Sequence, residues 1–261
     1  MKENRFFIVS DPQLGHRVQE ERMHHKRDII LREASPKDVL IIPGDLTHKG
    51  VSRVSNPFIK YLCMCYCIRK ARGEGVDGYT DELERLKEQH IQPIQKKLDK
   101  ILMCIGNHDS LTQWWIGYNP VYGYVRENHG SLCHKTDVDG IMVYSLSEYP
   151  TKSSVDWFKK MLDQSTDKPF IVFFHYNLQG PYSDWWKDKE KDYFYKTIEP
   201  HKERCICIAE GHVHMTYVSS WKGIRVVNGA GDRLVSLKVT RNDNNEIINV
   251  DSEMIGDHFV I

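Results

Sequence analysis

Residues 38–48 read DVLIIPGDLTH. A short unbroken apolar run, closed by Pro43-Gly44 and delivered straight into Asp45, is the pattern of a strand buried on both faces whose end opens into a loop. Upstream, residues 5–10 form a second apolar run that ends in Asp11-Pro12, and residues 19–34 carry helical spacing at Met23, Ile29, Ile30 and Leu31. Strand, helix, strand, with a carboxylate at each strand end, predicts an α/β architecture with parallel strands, and the carboxyl edge of such strands is where sites form.

The same arrangement recurs downstream. Residues 101–105 lead into Gly106-Asn107-His108-Asp109, residues 170–174 into His175, and residues 205–209 into Gly211-His212-Val213-His214. Each apolar run thus delivers an acid, amide or imidazole to a loop, where such groups can converge. Extended segments are expected at 131–136, 141–146, 216–221, 224–228, 235–240 and 247–251. Helices are expected at 154–164, capped by Ser153 or Ser154, and at 193–198. The stretch from 49 to 101 reads as an insertion: an apolar helix at 57–69, a glycine-rich loop ARGEGVDGYT, and a polar helix at 81–98 that Pro93 should kink, since proline lacks the amide hydrogen. The expectation is one domain, 1–261, with a helical insertion at about 50–98.

The 261 residues carry 36 Lys plus Arg and 36 Asp plus Glu. A net charge of zero argues against dedicated binding to nucleic acid or an anionic membrane surface. No apolar stretch approaches the roughly 18 residues of a membrane span, nor does the start resemble a secretory leader. A cytoplasmic chain is the expectation, and the 7 cysteines fit reduced thiols better than a disulfide framework. Cys63, Cys65 and Cys67 form CxCxC without a partner cluster at zinc-site spacing, so they read as ordinary thiols.

Two divalent cations roughly 3.5 to 4 Å apart require a bridging anion, further oxygen or imidazole ligands, and a place for water. Asp45 is the natural bridge. Asp11, Gln13 and His214 would complete one site, and Asn107, His175 and His212 the other. This mix of donors suits Mn best, with an Fe/Zn pair as the alternative. A metal-bridged hydroxide could then attack phosphorus, with His108 as general acid or transition-state stabiliser.

The ordered series DPQ, GDLTHKG, GNHD, FFH and GHVH resembles the calcineurin-like metallophosphoesterase superfamily over roughly residues 5–230. The resemblance implies an αββα four-layer sandwich, two mixed β-sheets flanked by helices, with a dinuclear centre at the strand ends. It also implies the roles given above to Asp11, Asp45, Asn107, His175, His212 and His214. Position 13 departs from the commoner DxH motif, because Gln13 offers a weaker amide oxygen in place of an imidazole. DxQ is similar to two subgroups, the complete-S-transactivated-protein-like phosphatases and the manganese-dependent ADP-ribose/CDP-alcohol diphosphatases.

Hydrolysis of a small-molecule phosphoester or phosphoprotein is therefore the expected activity, with cleavage of a nucleotide diphosphate linkage as the alternative. A nuclease or a non-catalytic scaffold fits less well. Asn107 could instead serve a turn and Gln13 a loop. His16 and His48 read as solvated loop histidines, with phosphate contact as the other option. Trp114, Trp115, Tyr118, Tyr176, Tyr182, Trp185 and Trp186 should line loops beside the metals, where they could stack an aromatic leaving group or simply pack. Arg233 could meet a phosphate or a surface carboxylate.

Overall fold

A computed structural model describes residues 1–48, 82–109, 120–165, 167–244 and 246–256. The expected apolar helix and glycine-rich loop of the insertion, Cys63, Cys65, Cys67, Trp114, Trp115 and Tyr118 all lie outside these residues.

Alternation along β1 (Lys2–Ile8) shows how the layers arise. Successive side chains of a strand point to opposite faces. Phe6 and Ile8 enter one core cluster with Val39, Ile41, Leu102, Ile171, Phe173 and Val227. Phe7 and Val9 enter another, against Met23, Ile29 and Ile30 of helix α1 (Arg17–Glu33). The first cluster is the seam between two sheets, and the second lies between a sheet and its helices. A third cluster packs Tyr144, Phe170 and Val172 against Val155, Phe158 and Leu162 of one helix and Phe194 and Ile198 of the next. The order is helix, sheet, sheet, helix, the four-layer sandwich that the motif series implied.

Beyond β1, the strands are β2 (Val39–Ile42), β3 (Lys100–Met103), β4 (Cys133–Val138), β5 (Ile141–Leu146), β6 (Phe170–Phe173), β7 (Cys205–Glu210), β8 (Thr216–Trp221), β9 (Ile224–Gly229), β10 (Leu234–Arg241) and β11 (Ile247–Ile255). The first sheet runs β11-β10-β1-β2-β3 and the second β4-β5-β6-β7-β9-β8. Both are mixed: β1, β2 and β3 are parallel neighbours, as are β5, β6, β7 and β9, while β10, β11, β4 and β8 pair antiparallel. The carboxyl ends of β1, β2 and β3 therefore lie side by side, and so do those of β6 and β7.

The helices after α1 are α2 (Glu82–Arg85), α3 (Gln92–Gln95), α4 (Pro120–His129), α5 (Lys152–Asp163) and α6 (Asp188–Ile198). A π-helical turn, Leu86–Ile91, joins α2 to α3. The helix expected to break or kink at Pro93 instead runs on through it, with the π-helical turn just before the proline. Pro93 has no N–H for the Gln89 carbonyl, which accepts instead from Arg27 Nη1 at 3.0 Å. Helix α5 starts earlier than expected: Thr151, not Ser153 or Ser154, is the cap, its hydroxyl accepting from Ser154 N. Helix α4 was not anticipated, because its buried apolar stripe is only Val121 and Val125 after Pro120. Among the described residues no helix is long and apolar enough to cross a membrane.

Candidate metal centre

Asp11 follows β1, Asp45 follows β2, Asn107 follows β3, His175 follows β6, and His212 and His214 follow β7. Five chain segments from two sheets thus meet at one edge. The first two loops are laced together by their backbones: Asp11 N donates to Gly44 O, Gln13 N to Asp45 O, Leu14 N to Leu46 O and His48 N to Leu14 O. The GHVH loop is tied in through Gly211 N to His175 O at 2.9 Å and through Ser10 Oγ to Glu210 O at 2.7 Å.

The backbone is strained where the candidate ligands sit. Asp11, Gln13, Asp45, His212 and His214 all adopt positive φ, between 39° and 74°. Outside glycine, a left-handed residue costs roughly 1 kcal/mol or more, and such strain persists only where the surroundings hold it. Gly106 and Gly211 permit close approach. A β-carbon on Gly106 would strike Asp45 Oδ1, and one on Gly211 would strike Asp11 Oδ2.

Asp45 is the hub. Its Oδ1 accepts from His108 N at 2.9 Å, and its Oδ2 accepts from Gln13 Nε2 at 3.0 Å and lies 3.3 Å from His175 Nε2. Asn107 Oδ1 lies 2.9 Å from both His175 Nε2 and His212 Nδ1. The His212 amide donates to Asp11 at 2.9 Å, and His214 Nε2 lies 3.6 Å from Asp11 Oδ1. All seven sequence-predicted donors, Asp11, Gln13, Asp45, Asn107, His175, His212 and His214, are therefore linked through contacts that meet at Asp45, Asn107 and Asp11. Asp11, Asp45 and His175 each offer an atom within 4.8 Å of the others and form a possible metal-binding cluster.

Electrostatics and donor chemistry fit a cation here. Burial, reinforced by Asp45 and opposed by His175, pushes the Asp11 carboxyl upward. Burial acts on Asp45 in the same sense, but His175, His108 and the His108 amide outweigh it and hold that carboxyl below its usual range. Burial alone would lower His175, and the two carboxylates raise it instead. Two buried carboxylates thus draw positive charge toward themselves. Burial pushes His212 and His214 down to about 4, so both imidazoles are neutral donors at neutral pH. His175 Nδ1 donates to Pro43 O at 3.0 Å, which aims Nε2 at the cluster in the manner of a metal-binding histidine. Gln13 Oε1 and His212 Nε2 are buried with no hydrogen-bond partner among the described residues.

His108 lies beside this cluster rather than in it. Its Nδ1–H donates to His48 O at 2.8 Å, and its ring stacks on His48 at 5.1 Å. His48 and His16, expected as solvated loop residues, are half-buried at the rim. The His16 ring lies 5.3 Å from His48 and 6.0 Å from His214, while its Nδ1 caps α1.

The aromatic expectation divides. Trp185 and Tyr182 stand more than half exposed, with ring centres 4.8 and 5.9 Å from His212, and Tyr176 lies 5.0 Å away. Trp186 was expected in the same wall but is fully buried against Phe174 and Phe194. A tight 3-10 turn, Ser183–Trp185, sends the two neighbouring indoles opposite ways.

Asp109 carries a structural duty that the sequence did not disclose. Its buried carboxylate accepts from Leu46 N, Thr47 N, Thr47 Oγ1 and Gly106 N, stitching the Asp45 loop to the Asn107 loop. Its position inside GNHD was the available signal.

A family model described as calcineurin-like phosphoesterase matches residues 4–216. The chain belongs to that family, whose name states its chemistry, phosphoester hydrolysis. Among solved structures it is similar to a dimetal phosphatase from Danio rerio, at TM-score 0.60 and 9% identity, covering 90% of this chain and 94% of that one. It is also similar to GAP50, named as the anchor in the inner membrane complex of Plasmodium, at TM-score 0.55 and 10% identity, covering 99% and 90%. A Staphylococcus aureus protein provisionally named a 5'-nucleotidase, in complex with alpha-ketoglutarate, aligns at TM-score 0.59 and 12% identity over all of this chain, which spans only 56% of that one. Identities this low show the shared fold alone. No curated protein sequence matches.

Proposed function

We propose that this protein is a dinuclear metal-dependent hydrolase of phosphate esters. The supporting observation is the convergence on Asp45 of donors from both sheets, with Gln13 Oε1 and His212 Nε2 buried and unmatched beside it. Asp45 would bridge the ions, Asp11, Gln13 and His214 holding one and Asn107, His175 and His212 the other. Mn suits this oxygen and imidazole set, with an Fe/Zn pair as the alternative. A divalent pair held there supplies charge neutralisation at the phosphoryl oxygens and activation of water.

The chain's own contribution is orientation and proton handling. The His48 carbonyl fixes the His108 ring through Nδ1, which leaves Nε2 as the atom that holds and releases a proton to the departing oxygen. Asp109 keeps the loops bearing Asp45 and Asn107 in register, and Pro43 O fixes His175. A fold found in a protein named for anchoring does not assign catalysis, so the case rests on these residues. Manganese-dependent release of p-nitrophenol from p-nitrophenyl phosphate tests it, and a protein that binds Mn without turning over any phosphoester would defeat it.

A second reading, cleavage of a nucleotide diphosphate linkage, is favoured by Trp185 and Tyr182, two exposed rings against His212 that suit a nucleobase. A panel of nucleotides against phosphopeptides decides between the substrate classes.

A further inference from the structure

On the side of the centre marked by His214 lies a cleft of about 210 Å³ lined by Arg22, His214, Met215, Thr216, Gly231, Asp232 and Arg233. Its charge is not balanced. Arg22 is paired with Asp232 at 2.6 Å, whereas the Arg233 guanidinium makes no ion pair or hydrogen bond among the described residues. Arg22, which also donates to Gln19 Oε1, keeps a buried Nε–H with no partner among the described residues. With Arg22 matched to Asp232, Arg233 is the cation of the cleft left without a carboxylate partner among the described residues.

The cleft is also built to a fixed shape. Thr216 Oγ1 donates to Arg233 O at 3.2 Å and holds that backbone in place. At Gly231 a β-carbon would meet Thr216 N and Oγ1 at 2.5 and 2.7 Å, so the two strands' ends close tightly there. A free guanidinium on a rigid backbone, next to a candidate metal ligand, is the arrangement that reads a phosphoryl group.

We propose that this cleft is a subsite for a second phosphoryl group of the substrate, bound by Arg233 with help from Arg22. The substrate class is then the diphosphate ester, one phosphorus at the metal centre and its neighbour in the cleft. This rests on the proposed hydrolase reading and gives its nucleotide alternative a residue that selects for it.

The test uses the full-length chain loaded with Mn. Binding of AMP and of ADP-ribose is followed by titration calorimetry at low temperature, and product is assayed by chromatography in the same samples. Wild type is expected to bind ADP-ribose about tenfold more tightly than AMP, the effect of one charge-assisted contact. Arg233→Ala should bring that ratio to about one, and Arg233→Lys should retain part of it, with metal content and circular dichroism unchanged. Equal affinity for the two nucleotides in wild type, or a ratio that survives Arg233→Ala, would overturn the subsite. A wild-type ratio that is lost in Arg233→Ala, without any product from either nucleotide, would count against the hydrolase reading alone, and hydrolysis with a ratio indifferent to Arg233 would count against the subsite alone.

Discussion

Asp45 takes the His108 amide on one oxygen and faces Gln13 and His175 with the other, so a change there reaches candidate donors from both sheets. Asp45→Asn keeps the shape and removes the charge, and it is expected to weaken Mn binding and abolish turnover, as read by equilibrium dialysis and p-nitrophenyl phosphate hydrolysis. His108→Ala should behave differently: unchanged metal content, with kcat lowered by about 10²- to 10⁴-fold, the usual worth of a general acid. A fall in metal content with His108→Ala would instead make that residue a ligand. Gln13 is the most exposed assignment, since its Nε2 bonds Asp45 while its Oε1 is left buried and unmatched. Gln13→Ala is expected to lower affinity for one ion, and Gln13→His to restore it.

The elements around the site owe their positions to a few buried polar groups. Asp109→Ala would leave the amides of Leu46, Thr47 and Gly106 without their acceptor, at a cost of about 3 kcal/mol by the usual worth of buried charged hydrogen bonds, measurable by urea denaturation. The π-helical turn carries a second test. His90 is buried with neither ring nitrogen bonded to any described residue and its ring 4.6 Å from His24. Burial, with His24, Arg27 and Arg85 adding to it, pushes its pKa from 6.5 down to about 3. The unfolded chain therefore takes up this proton first as pH falls. The stability contribution is whole above the unfolded value of 6.5 and is lost as pH drops toward about 3. His90→Leu should remove about 2 kcal/mol of the acid-side loss near pH 4.5, seen as a flatter profile of stability against pH. An unchanged profile would show that His90 does not carry it.

At the scale of the molecule, the candidate ligands come from loops of two different sheets, so cations bound there would clamp the sandwich together. Mn at a hundred times its dissociation constant should stabilise the chain by about 2.7 kcal/mol for each ion bound, and EDTA should reverse the gain in a calorimetric scan. The apolar runs and the loops that close them were legible in the sequence, because a strand that buries both faces and then delivers an Asp or His needs only adjacent residues to be recognised. The pairing of β10 with β1, Lys2 opposite Arg241, was not, since nothing local marks partners at opposite ends of the chain. Nor was the burial of Trp186 beside an exposed Trp185, which depends on a turn that neither residue specifies. The candidate ligands, and Arg233 as a phosphate contact, were legible as a list of residues, whereas the role of Asp109 and the cleft that holds Arg233 became visible only once the loops were set side by side.

The most direct test of the central claim is elemental metal analysis after Mn reconstitution, run on wild type and Asp45→Asn with phosphoester hydrolysis measured on the same samples. Close to two ions per wild-type chain, fewer in Asp45→Asn, and activity that follows occupancy are the expected results. Full activity from metal-free protein would contradict it.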